Sequence, residues 1–407
     1  MKKNQKNKRW TKLRHRIVRN IAFAILAPYS YIKYGARIKK FKEQKKGQPY
    51  FILFNHQTEF DQFFVGMAIR GPVYYIASED LFSNGFVSKL IKYLVAPIPI
   101  KKQTADIRAI MNSIKVAKEG GTIAVSPEGN RTYSGKTGYM NPTIAPLARK
   151  LGMPIVLYRI EGGYGVSPRW SGALRRGKIN CYVHSVIEPE ELDRLSDEEL
   201  LSLIERGLYV DESAPDGNIY YSKKSAEYLE RVFYYCPDCG LSSFESRGDT
   251  VSCKRCGKKV KYLPDKSLLG DGFDFKFSSI GEWYDAQCDF ICAFDPTQYT
   301  EEPLYVDKSR LSEVIVYKKK KLITEDATIS LYGDRITVKT EAEDYVFPFS
   351  EASAVTVLGR NKINIYHGGK IYQLKSTKQF NALKYVNIYN RYKNVSKGDK
   401  DGKFLGL

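Results

Sequence analysis

Histidine is scarce in this chain, with four among 407 residues, so any imidazole chemistry must fall on one of very few positions. Seven cysteines in a chain of this length do not build a disulfide scaffold. No Gly-x-Ser-x-Gly turn occurs, which removes the strained nucleophile elbow of the serine hydrolases. No apolar run is long enough to span a bilayer, which takes about 20 residues. The best stretch, Ile17 to Ala27, is broken by Arg19 and Asn20, and Lys33 closes it beyond Pro28. Acidic residues are nearly missing from the first 48 positions, where Glu43 stands against 16 Lys and Arg. The remainder is close to balanced, so the net charge of +20 is a local property.

The basic, aromatic start, residues 1–47, is expected to be an interfacial amphipathic element resting on a membrane phospholipid surface, with Phe23, Ile25 and Leu26 inserted. The expected address is peripheral, on the cytoplasmic face of the cell membrane. Two other readings of the same residues stand beside it. A signal peptide also places positive charge before an apolar core, but Pro28-Tyr29-Ser30-Tyr31 offers no small-x-small cleavage pattern. A nucleic-acid-binding arm has the same charge, since Lys and Arg do not separate lipid phosphate from RNA phosphate.

What is present begins with Asn55-His56-Gln57-Thr58-Glu59-Phe60-Asp61, directly after the apolar run Tyr50 to Phe54. A histidine that takes a proton from a hydroxyl needs a partner to hold its ring and stabilise the imidazolium, and a carboxylate does both. Residues five apart on one regular helix lie about 140° from each other. His56 is therefore expected to precede a helix, capped by Thr58, whose first turn contains Asp61. Thr58-x-x-Asp61 also fits a purely structural capping box. A second break, Ser126-Pro127-Glu128-Gly129-Asn130-Arg131-Thr132, follows the strand pattern Gly121 to Val125. The arginine fork suits phosphate, and glycine permits close backbone approach to a ligand. A surface ion pair between Glu128 and Arg131 is the plainer alternative.

Together and in this order, the two blocks resemble the lysophospholipid acyltransferase family, whose best-known members are the 1-acylglycerol-3-phosphate acyltransferases. Its His-x4-Asp motif stands here as His56 to Asp61, and its Pro-Glu-Gly-Thr-Arg block as Pro127 to Arg131, with Asn130 in place of threonine. Ala96 to Lys102 occupies the place of a motif that ordinarily ends in arginine. Gly152 to Tyr158 lacks a later proline that the family usually has. The resemblance implies acyl transfer from acyl-CoA or an acyl carrier protein thioester to the hydroxyl of a lysophospholipid, most commonly 1-acylglycerol-3-phosphate. His56 would be the base and Asp61 its orienting partner, while Lys102, Glu128, Gly129 and Arg131 would hold the acceptor. Direct attack by the acceptor needs no protein nucleophile. Cys181 and His184, three apart on one strand pattern, face opposite sides and do not make a pair.

Cys236-Pro237-Asp238-Cys239 and Cys253-Lys254-Arg255-Cys256 form two Cys-x2-Cys knuckles, each followed by glycine. Four thiolates at this spacing are expected to bind structural Zn(II), and the segment resembles a zinc ribbon. Around these landmarks the fold class is α/β, with a central sheet flanked by helices in an acyltransferase domain at 48–230 that includes trailing helices. Lys223 to Tyr234 is expected to be helical and leads into the ribbon at 231–265, and a helical connector follows at 266–310. From 311 to 395 short period-two runs, beginning with a strand at Val314 to Tyr317, are expected to make an antiparallel β-rich domain closed by one helix, Lys378 to Tyr392, which resembles a pleckstrin-homology-like fold. Residues 396–407 read as a disordered tail. The competing function is a nucleic-acid-binding or scaffold protein that uses the ribbon and the basic arm beside a non-catalytic α/β domain. Against it, Phe244 is the lone aromatic between the knuckles, so no nucleic acid is expected among the partners.

Overall fold

The structure is a computed structural model that describes residues 9–100, 106–315, 318–399 and 401–406. The chain forms two compact units. The first comprises 1–131, 137–163 and 178–210, and the second comprises 132–136, 164–177 and 211–407.

The first unit is built on a seven-stranded sheet of order β1-β7-β6-β2-β5-β3-β4. Its strands are β1 Ala36–Ile38, β2 Phe51–Phe54, β3 Val73–Ser78, β4 Ile98–Ile100, β5 Thr122–Val125, β6 Ile155–Glu161 and β7 Ile179–Ile187. The uninterrupted apolar run at β2 is the pattern of a strand covered on both faces. All four of its residues are buried, and it lies parallel between β5 and β6. Helices α1 Leu13–Tyr34, α2 Asp61–Ala68, α3 Phe86–Leu94, α4 Ile107–Lys118 and α5 Ile144–Leu151 connect or flank the sheet. A further helix, Asp197–Leu208, starts on a complete capping box, with Ser196 Oγ accepting from Glu199 N–H and Glu199 accepting from Ser196 N–H.

The N-terminal element is a 22-residue helix, α1, that runs through Pro28 and ends at Gly35. Among the described residues no helix is long and apolar enough to cross a membrane. Leu13, Ile17, Ile21, Ile25, Tyr29 and Ile32 are all exposed, and their near-fourfold spacing sets them along one side of the helix. Phe23 is not part of this stripe. It packs so tightly on α2 that a Cβ at Gly66 would lie 2.7 Å from its ring, and Leu26 is half-buried. Of the three residues expected to insert, only Ile25 is outward.

The second unit is β-rich. Strands β8 Tyr235–Cys236 and β9 Gly240–Leu241 form a two-stranded ladder. Strands β10 Phe244–Arg247, β11 Thr250–Cys253, β12 Lys259–Tyr262 and β13 Leu268–Gly270 form a four-stranded antiparallel sheet. A helix Ile280–Ala293 follows. Then come β14 Tyr305–Glu313, β15 Lys321–Leu331, β16 Arg335–Lys339, β17 Asp344–Pro348, β18 Ala354–Leu358, β19 Lys362–His367 and β20 Lys370–Ser376. They make a curled antiparallel sheet of order β17-β16-β15-β14-β20-β19-β18, and helix Leu383–Ser396 packs against β18. One core cluster runs through this unit, from Phe244 and Val251 to Ile329, Leu374 and Tyr385, so the four-stranded sheet, the helix after it and the curled sheet share an interior.

Several elements differ from the sequence expectation. The helix expected at Lys223 to Tyr234 shrinks to the single turn Leu229–Arg231. Tyr228 adopts φ 76° just before it, and Ala226 N–H is spent on Gly248 O. The strand expected at Val314 to Tyr317 lies upstream as β14, starting inside the segment assigned as connector, and Val316 and Tyr317 fall outside the described residues. The closing helix starts five residues later than expected, at Leu383. The tail is not free. Asn387 Nδ2 donates to Leu405 O, Asn394 Nδ2 donates to Gly402 O and Phe404 O, and Leu405 is buried.

Candidate active site

Parallel strands deliver their following loops to the same sheet edge, and in open α/β sheets ligands bind outside the carboxyl ends of the strands. Strands β2 and β5 are neighbours in register, Leu53 beside Val125. The His56 turn and the Pro127 to Arg131 loop therefore emerge together. Asn55, fully buried at the end of β2, fixes the first of them. Its amide donates to Ile160 O and accepts from Ile160 N–H on β6, both at 2.8 Å. Sequence reasoning had no role for Asn55, because the partner backbone is 105 residues away.

His56 Nδ1 lies 2.7 Å from Asp61 Oδ2. Asp61 is completely buried and also accepts from Gln57 N–H, Thr58 N–H and the Thr58 hydroxyl. The carboxylate thus performs both jobs that the residue pattern left open, closing the turn and holding the imidazole. Thr58 does not cap α2, whose N-cap position is Phe60. Its hydroxyl instead accepts from Phe60 N–H while donating to Asp61. A carboxylate oxygen can only accept here, which makes Nδ1 the donor of this pair, and the ring retains 25% exposure. Of the other histidines, His15 is buried against the Tyr74 hydroxyl at 3.1 Å. His184 is exposed on β7 while Cys181 is buried. His367 approaches Glu351 only to 3.9 Å.

Glu128 spans the two loops. Its Oε1 accepts from His56 N–H and its Oε2 from Gly138 N–H, each at 2.7 Å. Burial pushes this carboxyl up to about 8, against the pull of those two N–H donors, and the nearby Asp61 charge adds to the rise. A proton bound more tightly in the folded than in the unfolded chain stabilises the fold at low pH, and that contribution fades as pH climbs from the ordinary carboxylate value through about 8. Glu128→Gln, which does not ionise, is expected to gain stability relative to wild type between pH 5 and pH 9. Denaturant midpoints at the two pH values check the sign.

Gly129 has φ 67° and closes a turn, its N–H donating to Ser126 O. A Cβ there would meet open space, so the left-handed backbone is what calls for glycine. Arg131 is 10% exposed, with Nη1 3.8 Å from Glu59 Oε2. Phe60, beside Glu59, stacks on Tyr34 at the end of α1, ring centroids 4.7 Å apart. The striped helix therefore terminates at the His56 turn. Lys102 lies outside the described residues.

In the second unit the sulfur atoms of Cys236, Cys239, Cys253 and Cys256 all lie within 4.8 Å of one another, and Cys236 Sγ is 3.8 Å from Cys256 Sγ. A tetrahedral metal with bonds of about 2.3 Å sets its sulfurs about 3.8 Å apart. The four thiols fit such an ion.

Comparison with known proteins bears on the first unit. Residues 36–160 match the family described as acyltransferase. The 1-acyl-sn-glycerol-3-phosphate acyltransferase BAT2, chloroplastic, of Brassica napus is 22% identical over 147 residues, 35% of this chain and 42% of that protein. The match thus spans less than half the length of that curated relative. The crystal structure of the 1-acyl-sn-glycerophosphate (LPA) acyltransferase PlsC from Thermotoga maritima aligns at 23% identity and a TM-score of 0.38, over 47% of this chain and 74% of that one.

Proposed function

We propose, from the premise that residues 36–160 are an acyltransferase domain with homology to 1-acylglycerol-3-phosphate acyltransferases, that this protein moves a fatty acyl group from acyl-CoA or acyl carrier protein to a lysophospholipid hydroxyl, with 1-acylglycerol-3-phosphate as acceptor. The observation that supports this most is the contact of His56 Nδ1 with a buried carboxylate at 2.7 Å beside the Glu128 loop. His56 Nε2 removes the hydroxyl proton as that oxygen attacks the thioester carbonyl, and the imidazolium formed is stabilised by Asp61. The tetrahedral intermediate collapses with loss of the C–S bond, and the imidazolium returns its proton to the departing thiolate. Glu128 acts as a positioning residue, since its contacts are to backbone rather than to a reacting atom. Arg131 serves as the acceptor's phosphate ligand, exchanging its approach to Glu59 for a charge-assisted pair. Lys102 is retained as a second candidate for that role.

The exposed stripe of α1 is the element that would lie in the bilayer interface, making the protein peripheral on the cytoplasmic face. Because α1 ends against Phe60, the same helix brings the His56 turn to the acceptor's phase. The cysteine cluster is proposed to hold structural Zn(II), as a zinc ribbon does. The seven strands and closing helix are proposed as a pleckstrin-homology-like domain, to which no ligand is assigned because a fold does not determine function. No nucleic acid enters this reading.

The test is incubation of the purified protein with an acyl-CoA and a panel of lyso-lipids, scoring diacyl product. Product from phosphate-bearing acceptors is expected, and its absence across the panel would overturn the assignment. Arg131→Ala is expected to raise KM for phosphate-bearing acceptors about 10- to 100-fold, the worth of a charged hydrogen bond. It should leave the use of an acceptor lacking phosphate nearly unchanged. Equal losses on both acceptors would remove Arg131 from phosphate binding.

A further inference from the structure

A cleft of about 470 Å³ opens in the first unit between α1, the segment after β1 and the C-terminal end of α2. Four cations, Arg16, Arg19, Lys40 and Arg70, line it together with Asn20, and among the described residues no acidic side chain does. His56 and Asp61 stand at the opposite end of α2, an eight-residue helix about 12 Å long, so this is not the acceptor site.

The cations are gathered there by the fold itself. A helix ends with unsatisfied carbonyls and a partial negative charge. Arg19 Nη2 donates to Gly66 O and Ile69 O, and Lys40 Nζ donates to Met67 O at 2.6 Å. Arg19 Nη1 also donates to Asn20 Oδ1, and Arg70 Nη2 donates to Lys42 O, so these partners are neutral groups that satisfy donors without cancelling charge. Arg19 Nε is screened from solvent and has no hydrogen-bond partner among the described residues. Burial and the neighbouring Arg16 hold the Arg19 guanidinium below its ordinary value, and burial and Arg19 do the same to Lys40. Like charges held this close favour an anion between them. Arg16 and Asn20 also sit on the shoulder of α1, between the face that packs on α2 and the apolar stripe of Ile17 and Ile21. With the stripe in a bilayer interface, the cleft lies at the level of the head groups.

We propose that this cleft binds the phosphate of an anionic phospholipid head group as a second anion site, separate from Arg131. It rests on the interfacial reading of α1 and not on acyl transfer. The volume is within the range of small-ligand sites, and phosphate is the anion that a cluster of guanidinium donors matches best.

The experiment compares partition of the full chain onto vesicles of phosphatidylcholine alone and of phosphatidylcholine with phosphatidylglycerol, at fixed salt. Arg16→Gln with Arg70→Gln removes two lining charges and leaves the helix-capping Arg19 and Lys40 in place. Lys89→Gln with Lys92→Gln removes the same charge from α3 as a control. The cleft pair is expected to lose preference for the anionic vesicles about tenfold more than the control pair, with both pairs unfolding at the wild-type midpoint. Equal losses would reduce the effect to diffuse surface charge and overturn the proposal. A second arm replaces chloride by inorganic phosphate at equal ionic strength. A phosphate-dependent rise in the thermal midpoint of wild type, absent from the Arg16/Arg70 variant, together with an unchanged vesicle preference in that variant, would assign the cleft to a soluble anion and also overturn it. Acyl transfer to detergent-dispersed acceptor is expected to be unchanged in the cleft variant. If wild type itself transfers no acyl group, the vesicle comparison still decides the cleft.

Discussion

His56→Ala is expected to lower kcat by about 10²- to 10⁴-fold, the range of a lost general base, while acceptor binding stays near wild type. Initial rates together with acceptor binding by the inactive variant check this, and equal kcat in the two proteins would end the mechanism. The geometry also separates His56 from its partner. Asp61→Asn retains size but places an amide where Gln57 N–H, Thr58 N–H and the Thr58 hydroxyl all donate. A donor facing donors in a buried site costs about 1 to 3 kcal/mol for each group left unsatisfied. Asp61→Asn should therefore lose stability as well as rate, whereas His56→Ala should lose rate alone.

Removing a metal from the four-cysteine cluster is expected to be the largest perturbation of the second unit. Structural zinc contributes on the order of 10 kcal/mol of binding free energy to a folded site, comparable to the 5 to 15 kcal/mol by which whole domains are stable. Trp283 reports on it. Its indole stacks on Phe233 at 3.8 Å and meets Phe244 of β10, between the two cysteine pairs, edge-on at 5.5 Å. Metal analysis should find one zinc per chain, and a strong chelator should shift tryptophan emission to the red and bring on unfolding at lower denaturant. Cys239→Ser should reproduce this in part. A metal-free protein that is indifferent to chelator would remove the ion from the account.

Which parts were legible in the sequence follows from the range of the forces involved. The His56–Asp61 contact is made within one turn, and spacing alone required the histidine to sit outside the helix. The apolar run Tyr50 to Phe54 contains β2, buried throughout, because continuous hydrophobicity is the mark of two covered faces, and the strand pattern Gly121 to Val125 contains β5. Their side-by-side order is not a local property, so the bond from His56 N–H to Glu128, 72 positions away, had no signal. The resemblance tied Glu128 to the acceptor and the residue pattern offered an ion pair with Arg131; neither carried a signal for the two backbone N–H groups its carboxylate meets. The expected helix at Lys223 to Tyr234 failed for the same reason. Its donors and hydroxyls are claimed by distant carbonyls, Ser225 Oγ by Tyr262 O and Ala226 N–H by Gly248 O. Polar composition at the C-terminus hid the asparagine amides of Asn387 and Asn394 that tie it down.

The excursions at 132–136 and 164–177 have a practical consequence for cutting the gene. Trp170 and Tyr164 precede Val210 in the sequence, yet Trp170 meets Tyr262 edge-on, its carbonyl accepts from Arg231 Nη1, and Tyr164 N–H donates to Glu212. A clone stopped at Val210 would carry these two large aromatics with their companions deleted, and insoluble expression is the outcome to anticipate. The second unit draws two short segments from within the sequence of the first, so insertion and deletion will be tolerated at surface turns rather than at any single boundary.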